Sequence, residues 1–380
     1  MIKIKSDKII VNEDLFDGFL YIEGDKISSV SKKDLSCDEF YDYTGYYVSP
    51  GFIETHSHGT GGYAYTNSSA EDVINACNFH AKFGVTTICP TSSAAPFAVM
   101  KEAVENVSIA KKSGKVIPNL LGAHLEGPYF SQKQAGAQCP THITPPVKKD
   151  YENLISEFGD CIARWSYAPE LDAGGEFCKY LTSHNIIASA GHTDATYDDM
   201  KVAIDNGCNL VTHLYSCTST ITRDKGFRIL GVIESAFLRD ELSVELICDG
   251  KHLPPDLINM IIKIKGTDKI ILTTDSSYVA GSDIKEGNLT GTPFIVEDGV
   301  CKLLDRSAFA ASCATANVLI RTLVKDCGVS IPTAVKMLTK NPAKLLSLNT
   351  GVLESGKDAD VIVFDGDINV KKVFVLGKAI

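Results

Sequence analysis

The stretch Phe52-Ile-Glu-Thr-His-Ser-His-Gly59 begins as an apolar β-strand and ends in two histidines. Side chains two residues apart in a strand point to the same side, so His56 and His58 project together. Two imidazoles on one side form half of a metal site, although an isolated pair can also be two hydrogen-bonded histidines that bind nothing. Which of these holds depends on what the remaining strands place beside them.

Further apolar runs along the chain repeat this pattern of a strand followed by polar residues or proline. The predicted strands end near His56, Pro90, Glu126, Pro169, His192, His213, Asp249 and Asp275. Helix-like segments lie between them, for example 69–83, 175–184 and 197–206. Eight such units in about 290 residues predict an α/β fold, a (β/α)8 TIM-like barrel, rather than an open doubly wound sheet. The chain also lacks a Gly-x-Gly-x-x-Gly sequence after the first strand, which argues against a dinucleotide-binding fold.

The two ends of the chain lack the strand–helix alternation of the middle. Short strands separated by Asn, Asp and Gly turns are predicted at 1–11, 18–30 and 40–48, and two more at 360–364 and 370–376. Neither end has enough strands for a stable sheet of its own. We therefore expect residues 1–50 and 345–380 to form one small β-sandwich domain, with 51–344 as the barrel.

Composition limits the partners of the protein. It has 380 residues and a formal net charge of −10, and no run of Lys and Arg resembles a nucleic-acid-binding patch. Lysines interrupt the apolar residues of segment 1–10, so no signal peptide is predicted, and prolines interrupt the charge-free stretch 83–100, so no membrane span is predicted. Twelve cysteines without a Cys-x-x-Cys pair predict reduced thiols. We expect a cytoplasmic protein that binds neither nucleic acid nor membranes.

Metal-binding side chains collect at the predicted strand ends, the face on which barrels build active sites. Glu126 ends an apolar strand with no Lys or Arg between 119 and 132, so a metal would relieve its desolvation cost. His192 and His213 each end an apolar run, and Asp275 ends the last one. With the first histidine pair they provide the ligands of a one- or two-metal hydrolase and one carboxylate for proton transfer. The alternative, satisfied core polar residues, would have to hold independently at five strand ends.

The motifs around these residues resemble the amidohydrolase superfamily and, within it, the N-acetylglucosamine-6-phosphate deacetylases. The resemblance covers nearly the whole chain. Its motifs, in order, are Pro50–Gly59, His124-Leu-Glu-Gly-Pro128, Gly191-His-Thr193, Thr212-His-Leu-Tyr215, Asp249-Gly-Lys-His252, Thr274-Asp275, Asn341-Pro-Ala-Lys344 and Gly356-Lys-Asp-Ala-Asp360. Other amidohydrolases bridge their metals with a carboxylated lysine on the fourth strand. Here that strand, Ala163–Glu170, has no lysine, and Glu126 resembles the substitute used by the sugar deacetylases.

This resemblance implies a metal set and its chemistry. Glu126, His192 and His213 would bind the principal divalent ion, and His56 and His58 would hold a second one. One or two ions are therefore expected per subunit. Zinc is the expected metal, with iron and manganese as alternatives, because a His and carboxylate set accepts all three.

The resemblance also implies roles around the substrate. Asp275 would be the catalytic carboxylate, and His252 would hydrogen-bond the substrate or its developing oxyanion. Gln138, with its neighbour Ala137, matches a substrate-side position in some members. His252 has an alternative as an ordinary loop histidine.

The sequence departs from the family where the substrate is bound. After Thr212-His-Leu-Tyr215 the usual Asn-Ala-Met is replaced by Ser216, Cys217 and Thr218. The family arginine that contacts phosphate has an approximate counterpart in Arg223, one position out of register. The segment from Arg223 to Arg228 would be a cationic phosphate clamp or a solvated charged loop. The resemblance implies a homodimer in which the clamp comes from the neighbouring subunit.

The expected activity is metal-dependent hydrolysis of N-acetylglucosamine 6-phosphate to glucosamine 6-phosphate and acetate, with the phosphorylated amino sugar as small-molecule partner. A first alternative is a deacetylase for another N-acetyl amino sugar, such as N-acetylgalactosamine 6-phosphate, or another amide. A second is a non-catalytic barrel that binds sugar phosphates. That alternative predicts decay among the metal ligands, and all six positions carry competent residues.

Overall fold

A computed structural model describes residues 1–380 and shows a parallel barrel of eight strands. Neighbouring strands pair in parallel, except that the first and last meet through single contacts. The strands are Phe52–Ser57, Val85–Ser92, Ala123–Glu126, Ile162–Tyr167, Ile187–Ala190, Leu210–Val211, Ser243–Leu246 and Ile270–Leu272. The barrel closes where the Asp275 amide donates to the His56 carbonyl at 2.8 Å and Ser57 bridges Ser276. The TIM-like barrel predicted from the strand ends is confirmed.

Helices between the strands cover the outside of the barrel. They are Ala70–Ala81, Phe97–Ser113, Lys148–Phe158, Glu176–Ser183, Tyr197–Asp205, Val232–Leu238, Pro255–Lys265, Ala316–Lys325, Ile331–Leu338 and Lys340–Leu345. Side-chain caps explain three of the starts: Ser69 with Asp72 and Thr196 with Asp199 form capping boxes, and Ser330 accepts a hydrogen bond from the Thr333 amide. The three helices predicted from the sequence are present and end within three residues of the predicted limits. No helix is both long enough and apolar enough to cross a membrane.

The two ends of the chain share one sheet, here called the terminal sheet. Its strands are Ile2–Val11, Asp14–Glu23, Lys26–Ser31, Glu39–Asp42, Tyr47–Pro50, Val361–Phe364, Val370–Val375 and Lys378–Ala379. The expected joining of the ends occurs where Val361–Phe364 pairs antiparallel with Tyr47–Pro50. The sheet branches at its first strand and encloses its own apolar core, which includes Ile4, Leu20 and Phe374. The exact domain limits at residues 50 and 345 stay a prediction.

Two of the strands predicted near the N-terminus are each divided in the structure. The region 18–30 contains a turn at Gly24, whose φ of 60° favours glycine, so it belongs to two antiparallel strands. The region 40–48 contains the turn 43–46 and contributes two short strands that pair with different parts of the first strand. Both predictions of a single strand were wrong, because turns this short leave the alternation of apolar residues almost uninterrupted.

An additional antiparallel sheet follows the last barrel strand. It consists of Glu286–Leu289, Thr292–Glu297, Val300–Leu303 and Phe309–Ser312, and we call it the 286–312 sheet. It has a small core of its own that includes Phe294 and Cys301 and packs against Ala137. A separate two-stranded hairpin, Thr222–Asp224 with Phe227–Ile229, follows the sixth barrel strand and is called the 222–229 hairpin.

The closing sequence motifs connect the helices and the terminal sheet to the barrel. Asn341 donates to the carbonyls of Thr267 at 2.7 Å and Ile270 at 2.6 Å, which fixes the last helix against the last barrel strand. Buried Asp360 accepts from the Leu376 amide at 3.0 Å and from Asn119 at 2.9 Å. These hydrogen bonds give both motifs a structural function at the base of the barrel, away from the strand ends that carry the histidines.

Candidate metal and active site

Metal-binding side chains at the ends of five barrel strands converge on one region, and three of them form a first set. Nε2 of His192 and Nε2 of His213 lie 3.2 and 3.1 Å from Oε1 of Glu126, and 3.2 Å from each other. All three residues are buried. Three strand ends that are distant in sequence therefore place three ligand atoms at the corners of one small triangle.

The triangle has the dimensions of a metal site. Ligands of a tetrahedral ion at roughly 2.0 Å stand about 3.3 Å apart, close to the observed separations. The Gln134 carbonyl lies 2.9 Å from Nδ1 of His192 and can only accept, so Nδ1 carries the proton and Nε2 turns a lone pair toward Glu126. Two imidazole nitrogens that face one carboxylate oxygen in a buried space fit a divalent cation.

A second set shares the same carboxylate. Nε2 of His56 lies 3.3 Å from Oε1 of Glu126, and Nε2 of His58 lies 3.2 Å from its Oε2. Oδ1 of Asp275 is 3.4 Å from His56 and 3.3 Å from His58. His56 is fully buried, and neither of its nitrogens has a hydrogen-bond partner. The unsatisfied imidazole fits a second cation between Glu126 and Asp275.

Electrostatics keep both carboxylates ionised. Burial alone would raise the pKa of Glu126, but the facing imidazoles of His56, His192 and His213 hold it well below its ordinary value. Burial is likewise outweighed at Asp275, whose pKa is lowered by the facing imidazoles of His56 and His58. Asp275 is therefore ionised at neutral pH, as a proton acceptor must be.

The backbone at the site is held in uncommon conformations. The backbone φ angles of His192, His213 and Asp275 are 46°, 29° and 44°. These values lie in the left-handed region, which residues other than glycine rarely adopt. Each residue lies just beyond the end of its strand, where the chain turns away from the barrel. Residues in such conformations cluster at functional sites, because the surrounding structure must hold them there.

A buried ion pair lies beneath the metal ligands and was not predicted from the sequence. The Arg164 guanidinium donates to both oxygens of Glu245, and neither residue is exposed by more than 1%. Oε2 of Glu245 is 3.5 Å from Nδ1 of His56. The charge of Arg164 holds the pKa of Glu245 well below its ordinary value, although burial alone would raise it. A charged residue inside each apolar strand was the only local signal for this pair.

A cavity of about 220 Å³ opens above the ligands. Its lining residues are His58, Glu126, Gly136, Ala137, Gln138, His192, His213, Ser216, Cys217, His252, Asp275 and residues 308–311. It thus contains five of the seven substrate-binding residues expected from the sequence. The 286–312 sheet, which was not predicted, supplies one wall through Phe309 and its neighbours. No Lys or Arg lines this cavity.

Two of the expected substrate residues have defined partners. Nδ1 of His252 donates to Asp249 at 2.8 Å, which leaves Nε2 for a ligand. Gln138 accepts from the Ala94 amide at 2.9 Å and donates to Oε2 of Glu126 at 2.6 Å. Gln138 therefore contacts a proposed metal ligand as well as the cavity.

The cationic segment lies elsewhere. Arg223 and Arg228 pair across the 222–229 hairpin, both are exposed, and neither reaches the cavity of its own chain. Phe227 beside them is 75% exposed, the largest fraction among the exposed large apolar residues. A role for either arginine would require a second chain.

Comparisons with known proteins agree with this geometry. Residues 47–380 match the model of the amidohydrolase family. An N-acetylglucosamine-6-phosphate deacetylase of Bacillus subtilis (strain 168) is 30% identical over 368 residues, covering 94% of this chain and 91% of the relative. An N-acetylgalactosamine-6-phosphate deacetylase of Escherichia coli O157:H7 is 26% identical and covers 87% of each chain.

A solved structure has the same fold along its whole length. It is a mutant of N-acetyl-D-glucosamine-6-phosphate deacetylase from Mycobacterium smegmatis in complex with N-acetyl-D-glucosamine-6-phosphate. It superposes with a TM-score of 0.92 at 26% identity and covers 100% of this chain and 98% of that one. The ligand geometry, the family match and these relatives together establish that the chain belongs to the amidohydrolase family, among the N-acetylglucosamine-6-phosphate deacetylases.

Proposed function

We propose that the protein hydrolyses the acetamide of N-acetylglucosamine 6-phosphate, giving glucosamine 6-phosphate and acetate. The observation that carries this proposal is the convergence of Glu126, His192 and His213, together with Asp275, on one open cavity. A bound divalent ion would polarise the amide carbonyl and make water a better nucleophile at neutral pH. Zinc is the proposed ion, with iron and manganese as alternatives for the same ligands.

The chain's own residues would perform the remaining steps. Asp275, ionised at neutral pH, would accept a proton from the attacking water and pass it to the departing amine nitrogen. With Nδ1 held by Asp249, His252 would turn Nε2 to the substrate: the neutral imidazole would accept a hydrogen bond from a sugar hydroxyl, and the imidazolium would donate one to the oxyanion of the tetrahedral intermediate. The wall formed by residues 308–311 would restrict bulk water at the reacting amide.

The phosphate needs cations that this subunit's cavity lacks. We propose a homodimer in which Arg223, Lys225 or Arg228 of one subunit approaches the phosphate bound in the other. The exposed Phe227 between them supports an interface at the 222–229 hairpin, because aromatic residues and arginine are enriched in protein–protein interfaces. A cytoplasmic location remains part of this proposal and fits the free thiols of all twelve cysteines.

A second substrate deserves a direct comparison. Ser216 and Cys217 replace the usual family residues and line the cavity, and one relative is named for N-acetylgalactosamine 6-phosphate. Because these residues lie where the sugar would bind, they could favour the other stereoisomer at its differing hydroxyl.

The test measures acetate release by the metal-loaded protein from a panel of sugars. The panel contains N-acetylglucosamine 6-phosphate, N-acetylgalactosamine 6-phosphate and unphosphorylated N-acetylglucosamine. We expect the highest kcat/KM with the first compound and one or two divalent ions per subunit by elemental analysis. Preference for the second compound would change the proposed substrate to N-acetylgalactosamine 6-phosphate and leave the proposed deacetylation reaction unchanged. Absence of both acetate release and bound metal would refute the deacetylase and support a non-catalytic barrel.

A further inference from the structure

Two thiols touch beside the cavity and have no role in the proposed deacetylation. Sγ of Cys301 and Sγ of Cys313 are 3.5 Å apart, the only hydrogen bond between thiols among the twelve cysteines. Cys301 lies in a strand of the 286–312 sheet and is fully buried, whereas Cys313 follows the last strand and is partly exposed. We propose that Cys301 and Cys313 form an oxidation site, which a hydroperoxide converts into an intramolecular disulfide.

The strand register places both thiols on one face of the sheet. Cys301 pairs directly with Ala311, so their side chains lie on the same face of the sheet. Cys313 follows Ala311 by two residues, and residues two apart in an extended chain point to the same face. A disulfide bond is about 2.05 Å long, so the two sulfurs would have to approach by roughly 1.5 Å. A register irregularity between Cys301 and Lys302 interrupts the regular pairing there, so Cys301 is not held by a continuous hydrogen-bond ladder.

The two thiols differ in access, and this difference assigns their roles. Cys313 can be reached from solvent, whereas Cys301 cannot. The hydrogen bond from the Cys301 thiol lowers the pKa of Cys313, and the same bond, together with burial, raises that of Cys301. Cys313 is therefore the attacking sulfur, and Cys301 is the resolving one.

The chemistry balances with the hydroperoxide as oxidant. The Cys313 thiolate attacks the terminal peroxide oxygen, the O–O bond breaks, and the alcohol or water leaves, so that Cys313 becomes a sulfenic acid. The Cys301 sulfur then attacks the Cys313 sulfur and displaces its hydroxyl as water. Two thiols lose two electrons and two protons in total, and the hydroperoxide is reduced to water and an alcohol or a second water.

Oxidation would reach the reacting groups through one short backbone connection. The amide of Ser312, next to Cys313, donates to the Asp275 carbonyl at 2.9 Å, and the amide of Ser277 donates to the Ser312 carbonyl at 3.0 Å. Phe309, Ala310 and Ala311 of the same strand line the cavity. Drawing Cys313 toward Cys301 would shift this strand and the backbone of Asp275. Because displacements of about 1 Å are costly in catalysis, we expect turnover to fall about tenfold or more, a consequence that rests on the proposed function.

The test treats the metal-loaded full chain with hydrogen peroxide, blocks free thiols with an alkylating reagent and maps the peptides by mass spectrometry. We expect a cross-link between the peptides containing Cys301 and Cys313 and recovery of activity with dithiothreitol. Cys313→Ser and Cys301→Ser should keep the untreated activity and resist peroxide. Cys37→Ser, which changes another partly exposed thiol in the connection between strands Lys26–Ser31 and Glu39–Asp42, should behave as wild type.

Two outcomes would overturn the proposal. One is the absence of the cross-link when other thiols of the same sample are oxidised. The other is inactivation of Cys313→Ser as fast as wild type, which would place the sensitive thiol elsewhere, for example at Cys217 in the cavity. The cross-link is measured without any substrate, so its result is independent of whether the protein is a deacetylase. If Cys301→Ser fails to fold, mapping of the wild type and of Cys313→Ser still decides.

Discussion

At the residue scale, Asp275 is the carboxylate that contacts His56 and His58 and lies outside the ligand set of Glu126, His192 and His213. We expect Asp275→Asn to fold and retain most of its metal, because Glu126, His192 and His213 are untouched. Turnover should fall by about a hundredfold or more, the usual scale of lost acid–base catalysis. Measured kcat and metal content check both statements.

The exposed Asp283→Asn, in the same connecting segment, is the matched control and should leave kcat unchanged. Asp275→Asn activity within a few-fold of wild type would show that another group moves the proton.

Glu245 permits a second prediction at this scale, because it is the only carboxylate paired with buried Arg164. Glu245→Gln leaves the guanidinium without a counter-charge, which costs about 3–5 kcal/mol in the free energy of unfolding. Denaturant unfolding measures the loss. Glu241→Gln removes the carboxylate of an exposed pair with Arg239 and should change stability little. Equal losses in the two variants would mean that the buried pair contributes no more than a surface one.

At the scale of elements, the 222–229 hairpin carries the prediction about phosphate. Arg223→Ala or Arg228→Ala should raise KM for the phosphorylated sugar and leave the unphosphorylated sugar nearly unchanged, since only the former has charge to lose. Arginine is better suited than Lys225 because its planar fork donates two parallel hydrogen bonds to phosphate oxygens.

Steady-state kinetics with both sugars check this, and Arg239→Ala outside the hairpin is the control. Sedimentation should show a dimer if the partner's hairpin is the source. A monomer that hydrolyses both sugars equally well would mean that phosphate is not recognised.

The 286–312 sheet shows where element prediction from sequence stopped. Its strands fall within the region assigned to the barrel, and turns rather than helices separate them, so they do not follow the strand–helix alternation from which the barrel was predicted. Its position over the cavity depends on packing against Ala137 and on backbone contacts with Asp275. No local pattern encodes contacts of that kind, so the wall of the cavity could not be predicted.

For the whole molecule, Asp360 links the terminal sheet to the base of the barrel and makes stability depend on pH. Burial raises its pKa from an ordinary 3.8 to about 6. A raised carboxyl pKa means that the folded state binds the proton more tightly than the unfolded state does. The resulting contribution to the free energy of unfolding is complete below about pH 4 and is lost as the pH rises through 6. The loss amounts to about 3 kcal/mol at most.

Unfolding of wild type and Asp360→Asn should therefore be compared at a series of pH values. The free energy of unfolding of the variant, relative to that of wild type, should increase between pH 4 and 6. Above pH 7 the difference between the two should stay constant. The exposed Asp17→Asn, in the same sheet, is the control. Parallel profiles across the whole range would show that burial of Asp360 has no such consequence.

The sequence by itself determined the barrel, the joining of the chain ends and the identity of the side chains that converge. It could do so because the carboxyl ends of parallel barrel strands share one face. A residue that ends such a strand therefore lies on the face that holds the site. Only the tertiary structure decided that Glu245 pairs with Arg164, 81 residues away, that Cys301 touches Cys313, and that no cation lines the cavity. Those facts depend on strand register, on the closure of the barrel and on how the 286–312 sheet packs, and such long-range geometry leaves no periodic pattern in the chain.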